Sequence, residues 1–153
     1  MDKVTSVVRP AHHHYFNFKS GSILSNLTNC DIQVWDHTFI SSEQAYQYNK
    51  AVFHGRTDIV KRILQASDPF VIYRLGKSIS TSGKWHKEKV KVMRHLLHAK
   101  YNQSSEFRNK LKATDRQVLI EDTPNEFWGR GKNNTGRNTL GLLLMELRKN
   151  ANC

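Results

Sequence analysis

The pattern of apolar and polar positions divides the chain into a β-like opening and a helical remainder. "YFNF" from Tyr15 and "IQVWDHTFI" from Ile32 have the short, aromatic and β-branched character of strands, and the polar segment between them carries turn formers at Gly21, Asn26 and Asn29. A helix then opens at Ser41, an N-cap with Gln44 at capping-box spacing, and Ala45, Tyr48 and Val52 mark its core-facing side. On the other side lie Glu43, Gln47 and Lys50. Steps of ~100° per residue return the chain from Glu43 to almost the same face at Lys50, two turns on. The carboxylate and the amine therefore share one stripe, which reads either as a solvated helix surface or as half of a catalytic site.

Beyond Gly55, "RTDIVKRILQAS" repeats apolar residues at Ile59, Ile63 and Leu64, and Asp68-Pro69 starts another short helix that should end near Gly76. From Lys84 to Gln103 the positions Val90, Met93, Leu97 and Tyr101 predict the longest helix, its basic residues on the other sides. "SSEFRNKLKAT" predicts a further helix capped at Ser104 or Ser105, with Phe107 and Leu111 inward, and "QVLIED" has strand character. Gly136 to Asn150 forms the last helix, packing Leu140, Leu143, Leu144 and Leu147, with Arg148 and Lys149 suited to the negative end of its dipole. These elements predict a mainly helical α+β single domain with a small N-terminal sheet region, spanning about 15–150 behind a mobile terminus of 1–14.

Composition narrows the class. The chain has 153 residues, 38% of them hydrophobic, enough for one core without disulfides or a metal. Cys30 and Cys153 are too few for a disulfide framework and lack zinc spacing, which points to a reducing compartment. No signal-peptide or transit-peptide pattern opens the sequence, and no apolar run approaches the ~18 residues of a membrane span, so a cytoplasmic or nuclear protein with no membrane association is expected. His12, His13 and His14 are adjacent and cannot all converge on one ion, so they belong to the mobile terminus. Lys and Arg outnumber Asp and Glu by 24 to 13, giving a formal charge of +11. That excess favours phosphate-bearing ligands, whether nucleic acid or a nucleotide-like small molecule.

Two segments are richer in special residues than packing requires. In "NEFWGRGKNNTGRN", Gly129, Gly131 and Gly136 surround Trp128 and lead into the last helix, a setting that permits close backbone approach to a phosphate, with Arg130, Lys132 and Arg137 adding charge. The spacing matches neither the P-loop nor the dinucleotide fingerprint. In "SGKWHK", Trp85 stands at the entry to the long helix, where it is either a staple against the core or a stacking platform.

"LSN" at Leu24 to Asn26, "SSEQAYQYNKA" from Ser41, "GKWHKEKVKVM" from Gly83, "VLIED" from Val118, and "FWGRG" followed by "GRNTLGLLLMELR" resemble the successive motifs of the NADAR superfamily, the YbiA-like proteins. The resemblance runs in order from about residue 15 to residue 149. It implies hydrolysis of an N-glycosidic bond at C1 of a phosphorylated ribose, with no metal or organic cofactor. Its substrate is expected to be an ADP-ribosyl adduct on guanine in DNA or RNA, or else a ribosyl-phosphate intermediate of riboflavin synthesis. A catalytically silent ADP-ribose-binding module is the alternative of another class.

Residue by residue, the resemblance carries over Glu43 to stabilise or protonate the reacting ribose, and Lys50 to attack the opened C1 as an amine or to supply a cation. Trp85 and Trp128 would wall the base and ribose. Arg74, Lys77, Arg137 and the amide of Gly129 would meet phosphate, and Ser25, Asn26 and Asn138 would bind ribose hydroxyls or shape loops. The chain departs from the family pattern at Asn125, where an aspartate is usual three residues before the tryptophan of "WG"; an amide cannot serve as a base. Glu126 stands beside it. Lys77 occupies the place of a common arginine, keeping the charge and losing the bidentate fork.

Overall fold

The computed structural model describes residues 12–151, so most of the expected mobile terminus, 1–11, lies outside the described residues. Its last positions, His13 and His14, are strand residues. Among the described residues the protein is a mainly helical α+β structure with six α-helices and two two-stranded sheets. None of these helices is long and apolar enough to cross a membrane. The chain divides into two compact units, one of residues 18–110 and one that combines 12–17 with 111–151.

In the first unit, β2 (Ile32–Val34) and β3 (His37–Phe39) pair antiparallel, so the expected single β-like piece is a hairpin. Its two-residue turn, Trp35-Asp36, has both φ angles positive, 53° and 62°, the geometry of a tight hairpin turn. Four helices follow: α1 (Ser42–Phe53), α2 (Thr57–Gln65), α3 (Pro69–Lys77) and α4 (Gly83–Gln103).

The Ser41 hydroxyl accepts from the Gln44 amide at 3.1 Å, as the capping-box spacing requires. The Gln44 carboxamide, however, reaches past the cap: its Oε1 accepts from Ile40 N at 2.8 Å and its Nε2 donates to Ile63 O at 2.9 Å, fastening α1 to the end of α2. Ala51, Ile59, Ile63, Ile72, Leu75 and Ile79 form the apolar core shared by these helices.

The face assignments on α1 need correction. Val52, expected inside, is 51% exposed, whereas Ser42 to Gln47 are buried all round the helix. α1 packs against α2, α3 and α4, and its exposed residues, Val52 and Phe53, are at its C-terminal end. Leu64 is likewise exposed, because α2 presents Ile59 and Ile63 to the core. α3 starts as expected, with the Asp68 carboxylate accepting from Phe70 N at 2.8 Å and Pro69 in the first turn. α4 buries Trp85, Met93, Leu96, Leu97 and Lys100, while Val90 and Tyr101 are only half-buried.

In the second unit β1 (His13–Phe16) pairs in parallel with β4 (Val118–Glu121), His13 opposite Val118. The sheet is therefore not confined to the N-terminal region. α5 (Ser105–Ala113) leads from the first unit into this one. α6 (Thr139–Ala151) packs on β4 and buries Leu140, Leu143, Leu144 and Leu147. It begins at Thr139 rather than Gly136, because Asn138 has a φ of 52° and interrupts the helical path.

Candidate active site

The stripe on α1 is not a solvated surface. Glu43 is 7% exposed, and Gln47 Nε2 donates to its Oε2 at 2.7 Å. Burial raises the Glu43 carboxyl above its ordinary range, against the lowering pull of the Gln47 bond and the nearby Lys50 charge. Lys50 is half-buried, its Nζ donating to the Gly76 carbonyl at 2.8 Å. Desolvation lowers its ammonium, Glu43 opposes that, and Lys89 and Lys77 reinforce it. Burial thus pushes the acid up and the amine down on one helical face.

Gln47 and Gly76 fix this arrangement. The Gln47 carboxamide lies so close to Gly76 that a Cβ there would overlap it. Gln47 Oε1 is buried without a hydrogen-bond partner. Gly76 thus admits the amide that orients Glu43 and supplies the carbonyl that holds Lys50.

Ser25 and Asn26 are both buried and brace the first turn of α1 from the preceding loop. The Asn26 carbonyl accepts from Glu43 N at 3.0 Å, and its side-chain oxygen accepts from the Ser42 hydroxyl at 2.8 Å. The amide nitrogen of Asn26 donates to Met93 Sδ at 3.4 Å. The Ser25 hydroxyl accepts from Leu27 N at 3.2 Å. These side chains shape the loop that sets the position of Glu43. Beneath them lies Lys100, which sequence reasoning missed: it is 0% exposed, and its Nζ donates to Ile23 O at 2.8 Å and Ser25 O at 3.3 Å, over the Phe107 ring at 4.6 Å. Burial pushes it down to about 8, against the pull of Cys30 and Glu106.

Arg74 and Lys77 are exposed in the last turn of α3, Lys77 with its Nζ 5.7 Å from the Tyr73 ring centroid. Trp85 is 1% exposed and packs among Tyr46, Phe53 and His54, so its rings are spent on the core. Of the two roles open to a tryptophan at a helix start, the structure shows the staple.

The remaining candidates belong to the second unit. The Asn125 side-chain oxygen accepts from Phe127 N at 2.9 Å and Trp128 N at 2.7 Å. An aspartate would accept from the same two amides, so asparagine preserves this turn and alters only the charge. Glu126 holds the loop that follows, its carboxylate accepting from Lys132 N at 3.2 Å and the Thr135 hydroxyl at 2.9 Å. Gly129 is buried, and a Cβ there would overlap the Thr123 hydroxyl. Arg137 lies over the Phe127 ring at 5.7 Å. Trp128 is half-buried and meets Phe127 edge to face at 4.8 Å. Asn138 spends its amide on β4, accepting from Glu121 N and donating to Leu119 O, each at 2.9 Å. That is the structural role at the helix start.

Comparisons with known proteins show what the chain as a whole is similar to. The NADAR domain family matches residues 9–151. An N-glycosidase YbiA of Shigella flexneri is 38% identical over 128 residues, covering 82% of this chain and 78% of the relative. A chloroplastic riboflavin biosynthesis protein PYRR of Zea mays is 32% identical over 146 residues, covering 88% of this chain and 22% of that protein. The solution structure of Escherichia coli YbiA superposes with a TM-score of 0.76 at 34% identity, covering 94% of this chain and 90% of that one.

Proposed function

Because the chain belongs to the NADAR family as a YbiA-like N-glycosidase, we propose that it cleaves the C1–N bond of ADP-ribosyl adducts on guanine in nucleic acid, using Glu43 and Lys50. The observation that supports this reading is the enclosed Glu43 beside a Lys50 whose ammonium is destabilised.

Cleavage builds positive charge on C1 and O4′, and the departing nitrogen needs a proton. Glu43 as carboxylate offsets that charge, and its protonated form delivers the proton. Glu43 protonates O4′ as the C1–O4′ bond breaks, leaving the base on C1 as an iminium. The neutral Lys50 amine adds to C1, a proton passes from the lysine nitrogen to the base nitrogen, and the C1–N bond to the base breaks. Water then hydrolyses the lysine imine, releasing the sugar, restoring the amine and returning the proton to Glu43. The route needs unprotonated Lys50, which burial, Lys89 and Lys77 favour and Glu43 opposes.

The substrate assignment rests on charge. A formal +11 is of use on a polyanion and of little use on a monophosphate. A second reading, cleavage of phosphorylated aminopyrimidine ribosides, is favoured by relatives named as riboflavin biosynthesis proteins. Incubation with an ADP-ribosylated guanine oligonucleotide and, in parallel, with the aminopyrimidine ribosyl phosphates separates them by mass spectrometry. The first reading expects restored guanine strand and free ADP-ribose, with a rate that falls steeply as salt is added. Turnover of the ribosyl phosphates alone gives the assignment to the second. Binding of ADP-ribose without release of base from any substrate refutes both and leaves a reader.

A further inference from the structure

We propose that the exposed basic side of α4, with the indole of Trp35 beside it, is the surface on which a single strand of nucleic acid lies while its adduct is processed. This inference deepens the proposed function and rests on it for the substrate.

Lys84, Lys87, Lys91, Arg94 and His98 follow one another at steps of three and four, so they fall on one side of α4. Lys84, Lys87, Lys91 and His98 are exposed and Arg94 is half-buried. At 1.5 Å per residue the row is about 21 Å long, enough to follow several successive phosphates of one strand. α4 carries a single acidic residue, Glu88, and its approach to Lys91 is a loose 3.9 Å at the surface, too weak to neutralise the row.

Trp35 supplies the second observation. It occupies a position of positive φ, where asparagine or glycine is the residue of low cost and a bulky aromatic is strained. Its ring stacks on His95 at 5.8 Å and 25°, and His95 is exposed on α4 next to Arg94. The hairpin that carries it is fastened to α4, since Gln33 N donates to Gln103 Oε1 at 2.7 Å and Gln103 Nε2 returns a bond to Gln33 O at 2.8 Å. Tyr48 also stacks on the indole, at 6.4 Å and 22°, and Phe39 meets it edge to face at 6.4 Å. The exposed His95 imidazole, backed by the half-exposed Trp35 indole it stacks on and held against a row of cations, is a place for an unpaired base to extend the stack while phosphates follow the lysines. A duplex, whose bases are stacked on one another, has no use for the indole.

The test uses a fluorescein-labelled 12-mer of thymidylate and, beside it, an inorganic polyphosphate chain, with the full-length protein. Lys87→Glu/Lys91→Glu is expected to weaken both by at least tenfold. Trp35→Leu, which keeps an apolar side chain against Phe39 and Tyr48, is expected to weaken the oligonucleotide about five- to fiftyfold and the polyphosphate less than twofold. Equal affinity of the double-lysine variant and the wild type overturns the surface, and equal losses of Trp35→Leu on both polyanions overturn the stacking site. Each protein is also assayed on ADP-ribosylated guanosine. The double variant should process this small adduct at the wild-type rate while losing activity on the adducted oligonucleotide, and losing both contradicts a separate surface. A wild-type protein that releases base from neither adduct refutes the proposed function, and the binding comparison still decides the surface.

Discussion

Glu43→Gln is expected to lower kcat for base release by about 10²–10⁴-fold, the usual worth of a positioned proton-transfer group, with no loss of thermal stability. The substitution keeps the side chain's shape and leaves an oxygen to accept from Gln47, now 2.7 Å from the carboxylate. It removes a buried charge whose desolvation raises its pKa. Because the folded-state value lies above the ordinary 4.5, the unfolded chain holds its proton less firmly. Ionisation of Glu43 therefore opposes folding as pH rises through the raised value, and the glutamine variant escapes that cost. A melting temperature equal to or above that of the wild type, beside a collapsed kcat, separates chemistry from folding. A structural role alone would give the reverse pattern.

The second large effect is on stability. Lys100→Ala is expected to destabilise the protein by about 3–5 kcal/mol in urea unfolding at pH 7, because it removes a buried four-carbon stem, takes the lysine donor from the Ile23 carbonyl and leaves the Ser25 carbonyl with only the Thr28 amide. Those carbonyls, of Ile23 and Ser25, belong to the loop whose Asn26 holds the Glu43 amide, so activity should fall as well. The pH dependence has a definite sign. In the folded protein Lys100 titrates at about 8, below the ordinary 10.5. Between these two values the unfolded chain binds more protons, so stability rises with pH across that window; below pH 8 both states are charged and the full cost of burying the ammonium applies. Lys100→Met fills the same space without a charge. Compared with it, the wild type should gain stability from pH 8 upward, and parallel pH profiles of the two proteins would contradict the assignment.

Local signals were legible in the sequence and long-range ones were not. Ser41 and Asp68-Pro69 follow from capping chemistry that acts within four residues and α4 from its apolar spacing, and these three helices start within one or two residues of their expected places. The parallel pairing of His13 with Val118 joins segments about a hundred residues apart, and nothing in either strand encodes the partner. The periodicity of α1 assigned one apolar side, whereas the helix packs against three others, so Glu43 and Gln47 of the polar stripe are buried like Ala45 and Lys50 is half-buried. Lys100 was visible in principle: it lies seven residues after Met93 and three after Leu97, at core spacing, but a lysine in a lysine-rich helix reads as surface. Asn125 stood out as a chemical departure, and the structure shows that its acceptor oxygen is committed to a turn.

Borohydride reduction of the protein during turnover of the ADP-ribosylated guanine oligonucleotide, followed by peptide mass mapping, tests the acid and amine of α1 most directly. The expected result is a reduced ribosyl adduct on Lys50, absent in Lys50→Ala, whose turnover is abolished. No adduct at Lys50, together with undiminished turnover by Lys50→Ala, would contradict it.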